Sequence, residues 1–208
     1  LLSGCVSYAG SSPPSASEPV PLSASPPEND AMRLHFIDVG QGSATLVEFP
    51  CGAMLVDTGG EEDEYGRFRS TDKLSAYLTA FFARRTDLNG TLDVLLLTHP
   101  HIDHIRGAET VLKSWKVKNF VENGQVPLLD IAQEALKRAH DVLDANPGVQ
   151  RLAVTTDAFP KGGAAFSSPV LDPFPDCKGT DPVVSALWGQ VPRDPGWGED
   201  DYGKARFS

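Results

Sequence analysis

Apolar and polar positions divide this chain into a front without periodicity and a body with it. Residues 1–30 carry Ser11-Ser12-Pro13-Pro14, Pro19, Pro21 and Pro26-Pro27 among scattered Ser and Ala, with too little apolar content to bury a core. They predict a tether. Residues 31–208 read as one domain. Met32 to Val39 is apolar-rich and β-favouring and stops at Gly40-Gln41-Gly42, Ala44 to Phe49 follows, Pro50-Cys51-Gly52 is a turn, and Ala53 to Asp57 is a third run. Three strands joined by short turns predict an antiparallel meander.

The period then changes. Leu74, Tyr77, Leu78, Phe81 and Phe82 share one helical face, with Ser70 or Thr71 as the expected cap, Arg84 and Arg85 complementing the C-terminal dipole, and Asn89-Gly90 as the stop. Leu92 to Thr98 is almost continuously apolar, the pattern of a strand buried on both faces. Ala108 to Trp115 predicts a short helix, Val117 to Val121 a strand, and Leu129 to Leu143 a helix closed by Asn146-Pro147-Gly148. Arg151 to Thr155 and Pro169-Val170-Leu171 are further strand candidates, and Pro173 to Asp200, rich in Pro, Gly and Asp, predicts loop. The alternation of strands and helices predicts an α/β fold.

Charge narrows the partners. With 18 Lys and Arg against 28 Asp and Glu, the formal net charge is −10, and no basic cluster marks a nucleic-acid groove. A phosphodiester substrate therefore needs metal cations as its counter-charge. No apolar run is long enough to span a membrane. Nothing in the pattern points to a protein partner.

The three cysteines read differently. Leu2-Ser3-Gly4-Cys5, ahead of the tether, resembles the lipobox of bacterial lipoproteins, which makes Cys5 the expected lipidation site and membrane anchor. Cys51 and Cys177 are expected as two free thiols in preference to a disulfide. The expected location is outside the cytoplasm, as an anchored lipoprotein or a secreted protein. The chain opens on Leu1 and closes on a strand-like run to Ser208, so further residues are expected on both sides.

The chemistry concentrates in His99-Pro100-His101-Ile102-Asp103-His104, directly after the buried strand. His99 and His101, two apart in an extended or turning segment, can offer two neutral imidazoles to one cation, and Asp103 and His104 can face a second. Imidazole and carboxylate donors suit zinc, iron or manganese, and ligand type alone does not settle which; two divalent ions, zinc in the first place, are the expectation. Two such ions about 3.5–4 Å apart acidify a bridging water and polarise the scissile group, giving hydrolysis without a covalent intermediate. Asp103 is thus both a metal ligand and the candidate catalytic carboxylate. His140 reads as a solvated helix residue, and His35 as a hydrogen-bonded core or face histidine.

The H-x-H-x-D-H spacing resembles the metallo-β-lactamase superfamily. The resemblance implies an αβ/βα sandwich with one or two metals at an edge, of which residues 31–208 would form the first half to two-thirds. It also implies that Asp57, in Asp57-Thr58-Gly59-Gly60, supports the metal loop by hydrogen bonding. Phe36-Ile37-Asp38-Val39-Gly40-Gln41-Gly42 looks like the head of the hydrolase domain of ComEC-type competence proteins, which implies a phosphodiester or nucleic-acid substrate. Ser43 stands where that family commonly has Asp, and Arg106 where Gly is common, to bind an anionic substrate or to obstruct it. The family's remaining ligands, a further Asp and two His, have no match in this sequence, so the expected function is a metal-dependent hydrolase or a non-catalytic binding module on the same fold.

Overall fold

The computed structural model describes Pro27, residues 31–63, 65–159, 164–174, 181–187 and Gly189. Cys5, Cys177 and all of the expected tether except Pro27 and the terminal residues lie outside the described residues. The α/β expectation holds. Six strands form one mixed sheet in sequence order: β1 (Arg33–Phe36), β2 (Thr45–Phe49), β3 (Gly52–Val56), β4 (Thr91–Leu97), β5 (Lys116–Glu122) and β6 (Gln150–Ala153). The first three are antiparallel, and β3 to β6 run parallel.

Each parallel step needs a crossover, and the helices supply them. Helix α1 (Ser70–Arg84) links β3 to β4, the one-turn α2 (Ile102–Ile105) and α3 (Ala108–Ser114) link β4 to β5, and α4 (Asp130–Asp144) links β5 to β6. Leu46, Leu55, Leu95 and Phe120 occupy one register row across β2 to β5 and are fully enclosed beneath Leu74, Leu78 and Phe81 of α1 and Ala135 and Ala139 of α4. Each such leucine contributes roughly 1.5–3 kcal/mol by leaving water. On the other face Met54, Val94 and Val121 pack with Val154, Leu171 and Phe174. Burial on both faces accounts for the unbroken apolar run of β4.

Several local expectations need correction. Neither Ser70 nor Thr71 caps α1: Arg69 holds the cap position, paired in a bridge with Glu62, so Ser70 is already helical, and its Oγ has no hydrogen-bond partner among the described residues. Arg84 and Arg85 do more than face the helix dipole. Their guanidinium groups turn inward to the enclosed Glu48, with Arg84 Nη1 and Arg85 Nη1 at 2.9 and 2.8 Å from its Oε1. Arg85 also donates to the carbonyls of Phe49 and Pro50, both at 3.0 Å, tying the end of α1 to the β2–β3 turn. Pro169-Val170-Leu171 is a turn closed by the bond from Leu171 N–H to Ser168 O at 3.0 Å. Cys51 is disulfide-bonded, which overturns the free-thiol reading for it.

Candidate metal centre

The parallel pairing of β3 with β4 brings two strand ends together, and the motif grows from that edge. Asp57 follows β3 in the left-handed conformation, φ 60°, and its N–H still donates to Leu96 O at 2.8 Å. A non-glycine residue in this region is uncommon, and Asp and Asn tolerate it best. The turn directs the carboxylate of Asp57 to the end of β4. Thr98 N–H donates to Asp57 Oδ1 at 2.8 Å, and Thr98 Oγ1 lies 2.8 Å from Oδ2 and 3.0 Å from Oδ1. His104 Nδ1 stands 2.8 Å from Asp57 Oδ2. One enclosed carboxylate thereby holds both ends of the His99–His104 segment.

Helix α2 is seated by backbone contacts. His104 O accepts from Thr58 N–H at 2.7 Å and from Thr58 Oγ1 at 2.8 Å, while Ser43 N–H donates to Asp103 O at 3.3 Å. The approach is close enough to require glycine: a Cβ on Gly60 would overlap Ile102 O, and one on Gly42 would overlap Asp103 O. The Gly40-Gln41-Gly42 and Gly59-Gly60 turns are thus the cradle of the His99–His104 loop.

The expected ligands come together. The ring of His99 lies 4.1 Å from that of His104 and 4.4 Å from that of His101, centre to centre, and His104 Nε2 is 3.6 Å from Asp103 Oδ2. Burial, reinforced by His104 and His101, pushes the His99 pKa down to about 4, so its imidazole is neutral at pH 7. His101 is lowered as well, chiefly by burial. The bond to Asp57 raises His104 and assigns a proton to its Nδ1, which leaves Nε2 on the side of Asp103.

This donor chemistry suits divalent cations, and the Asp57–His104 bond is the kind of outer contact that orients a ligating imidazole. Among the described residues, however, no group of three or more His, Cys, Asp or Glu converges on one point. The described residues therefore present a partial donor set, three imidazoles and one carboxylate within one loop.

The other histidines lie elsewhere. His35 is hydrogen-bonded to Tyr77 Oη at 2.6 Å and to Glu48 Oε2 at 3.0 Å. His140 is not a solvated helix residue: it is half-buried, with Nε2 3.1 Å from Glu122 Oε2 and its ring edge-on to Phe120, and the bond to Glu122 raises its pKa. Arg106 donates through Nε to Gly60 O at 2.6 Å and through Nη1 to Glu62 Oε2 at 2.9 Å.

Beside the loop lies a cleft of about 800 Å³ whose lining includes His101, Asp103, Arg106, Glu62, Leu128 and Leu129. Sequence reasoning passed over Thr98, Thr58 and the Leu128-Leu129 pair. Thr98 was detectable as the hydroxyl that directly precedes the motif. Leu129 was absorbed into the helix it in fact caps.

The family model described as the metallo-beta-lactamase superfamily matches residues 37–198. The chain belongs to that superfamily. Its sequence is also 36% identical over 96 residues to ComE operon protein 3 of Bacillus subtilis, covering 41% of this chain and 12% of that protein. Similar solved structures include the metallo-beta-lactamase SMB-1 in complex with mercaptoacetic acid, 24% identical with a TM-score of 0.34, covering 47% of this chain and 34% of that one. A Cronobacter sakazakii metallo-beta-lactamase is 16% identical with a TM-score of 0.35, covering 65% and 52% respectively. The chain thus spans well under two thirds of each of these relatives. Among the described residues, no helix of this superfamily member is long and apolar enough to cross a membrane.

Proposed function

We propose that this chain carries the metal loop of a metal-dependent hydrolase acting on phosphodiesters, with His99 and His101 holding one divalent cation and Asp103 and His104 the second. The observation that carries the reading is the Asp57–His104 bond of 2.8 Å, which turns the remaining nitrogen of His104 toward Asp103, beside two further imidazoles. Bound cations of the zinc type supply an acidified water and polarise the scissile group. The protein's own residues prepare that chemistry. His99 is held neutral by burial, Asp57 fixes the ring of His104, and Asp103 Oδ2 is the carboxylate on which a proton can rest.

The phosphodiester assignment is supported by the Phe36–Gly42 resemblance and by the 36% identity to ComE operon protein 3. Lipidation at Cys5 would place the enzyme outside the cytoplasm, on a membrane. The full-length protein, loaded with zinc or manganese, is expected to hydrolyse bis(4-nitrophenyl) phosphate, with activity abolished in Asp103→Asn. No turnover of any phosphodiester by the metal-loaded wild type overturns this reading. A non-catalytic module is the second reading, favoured by the lack of a three-donor group among the described residues. It predicts one metal or none, and no turnover.

A further inference from the structure

The cleft beside the metal loop combines two kinds of surface. Leu128 and Leu129, at the start of α4, are 81% and 60% exposed, and both line it, together with Ile102. Exposed leucines on the wall of a concave site are unusual unless something covers them. Arg106 is the only Lys or Arg among the described lining residues. Its bonds to Gly60 and Glu62 use Nε and Nη1, which fixes the plane of the guanidinium. Glu62 also lies 3.6 Å from Arg69, the carboxylate of Glu61 accepts from Gln41 N–H, and Asp103 Oδ2 is 3.6 Å from His104 Nε2, so each of the three acidic groups of the described lining faces a partner.

These features discriminate among phosphodiesters. A continuous nucleic-acid strand is held by a track of cations along its backbone and by aromatic platforms for its bases. Among its described lining residues the cleft offers one Lys or Arg, no Phe, Tyr or Trp, and an aliphatic wall, on a chain of net charge −10. One guanidinium is matched to one phosphoryl group, and a leucine pair to one apolar substituent.

We propose that the cleft binds a small phosphodiester carrying an aryl or other apolar group, with the phosphoryl oxygens against Arg106 and the apolar group against Leu128 and Leu129, and not a continuous nucleic-acid strand. This rests on the phosphodiester reading above and narrows it. Arg106, which stands where the resemblance leads one to expect Gly, is then a specificity-determining residue and not an obstruction.

The test pairs a binding with a turnover measurement on the full-length protein. With metal-free protein, ligand-observed NMR should show phenylphosphonate binding about tenfold more tightly than methylphosphonate, the difference expected for partial burial of the ring. Leu128→Ser/Leu129→Ser should abolish that preference without weakening methylphosphonate, and Arg106→Gly should weaken both, with partial rescue by Arg106→Lys. With metal-loaded protein, the leucine double variant should raise KM for bis(4-nitrophenyl) phosphate far more than it lowers kcat, and a single-stranded DNA oligonucleotide should be the poorer substrate. Both leucines are exposed, so their replacement should leave the unfolding midpoint unchanged. Equal binding of the two phosphonates, a preference that survives the double variant, or DNA cleavage more efficient than that of the aryl diester overturns the inference while leaving phosphodiester hydrolysis intact. Failure of the wild type to cleave either substrate overturns both.

Discussion

Asp57 and His104 are 47 positions apart in sequence, yet their side chains meet at 2.8 Å, because parallel pairing of β3 with β4 sets the end of one strand beside the loop that leaves the other. The same carboxylate receives the Thr98 amide, so the geometry of the His99–His104 loop depends on one residue that is itself outside it.

We predict that Asp57→Asn weakens divalent metal binding by about 10–100-fold while the fold persists, the range typical for loss of an outer-shell partner. Asn keeps the left-handed backbone accessible, whereas Asp57→Ala adds a strain of about 1–3 kcal/mol. Chelator competition measures the first effect and thermal unfolding the second. Unchanged metal affinity in Asp57→Asn would show that Asp57 does not orient His104.

The glycine cradle makes a separate prediction. Gly60→Ala places a Cβ against Ile102 O and the backbone of Asp103, so α2 must shift. We expect a loss of about 1–3 kcal/mol in stability and displaced ligands. Gly148→Ala, with open space around its Cβ, should be near neutral in the same unfolding assay. Equal behaviour of the two variants would remove the close approach as an explanation.

The enclosed charges around Glu48 predict acid sensitivity. Burial alone would raise the Glu48 pKa, but bonds from His35, Arg84 and Arg85 outweigh it and hold the carboxyl far below its ordinary value of 4.5. A depressed folded value stabilises the native state above the unfolded value and is lost as pH falls below it. Urea unfolding followed downward from about pH 6 should therefore show declining stability below about pH 4.5, with a shallower slope in Glu48→Gln. Arg85→Met, which leaves Glu48 short of a partner, should cost about 3–5 kcal/mol at neutral pH.

His140 gives the opposite sign. Its pKa is raised by Glu122, so the pair stabilises the fold fully below the ordinary value of 6.5 and the contribution fades as pH rises through the folded value. His140→Gln should flatten that alkaline decline in urea unfolding. An identical profile in the variant would assign the decline to another group.

What could be read in advance follows from how each feature is written into the chain. The strands and the amphipathic face of α1 rest on periodicity, and Leu92–Thr98 declared its double burial by its lack of polar positions. The candidate site was legible as a cluster because three imidazoles and a carboxylate crowd into six residues directly after a buried strand. Glu48 was not legible as a core residue: a charge on a strand looks solvent-facing until Arg84 and Arg85 arrive from a helix 36 and 37 positions away. The cap of α1 was misplaced because the Glu62–Arg69 bridge, a tertiary pairing, starts the helix one residue early. The turn at Pro169–Leu171 is likewise decided by a local bond to Ser168, which an apolar triplet does not reveal. Leu128 and Leu129 were hidden by the helix pattern they adjoin, because only the fold shows that they border the cleft.

The central claim is that His99, His101, Asp103 and His104 hold divalent cations. Elemental analysis of the full-length protein, alongside His101→Ala and Asp103→Asn, tests it most directly. The account predicts zinc or manganese bound to the wild type and depleted in both variants at an unchanged unfolding midpoint. A wild type with no metal above background, or variants that retain all of it, would contradict the account.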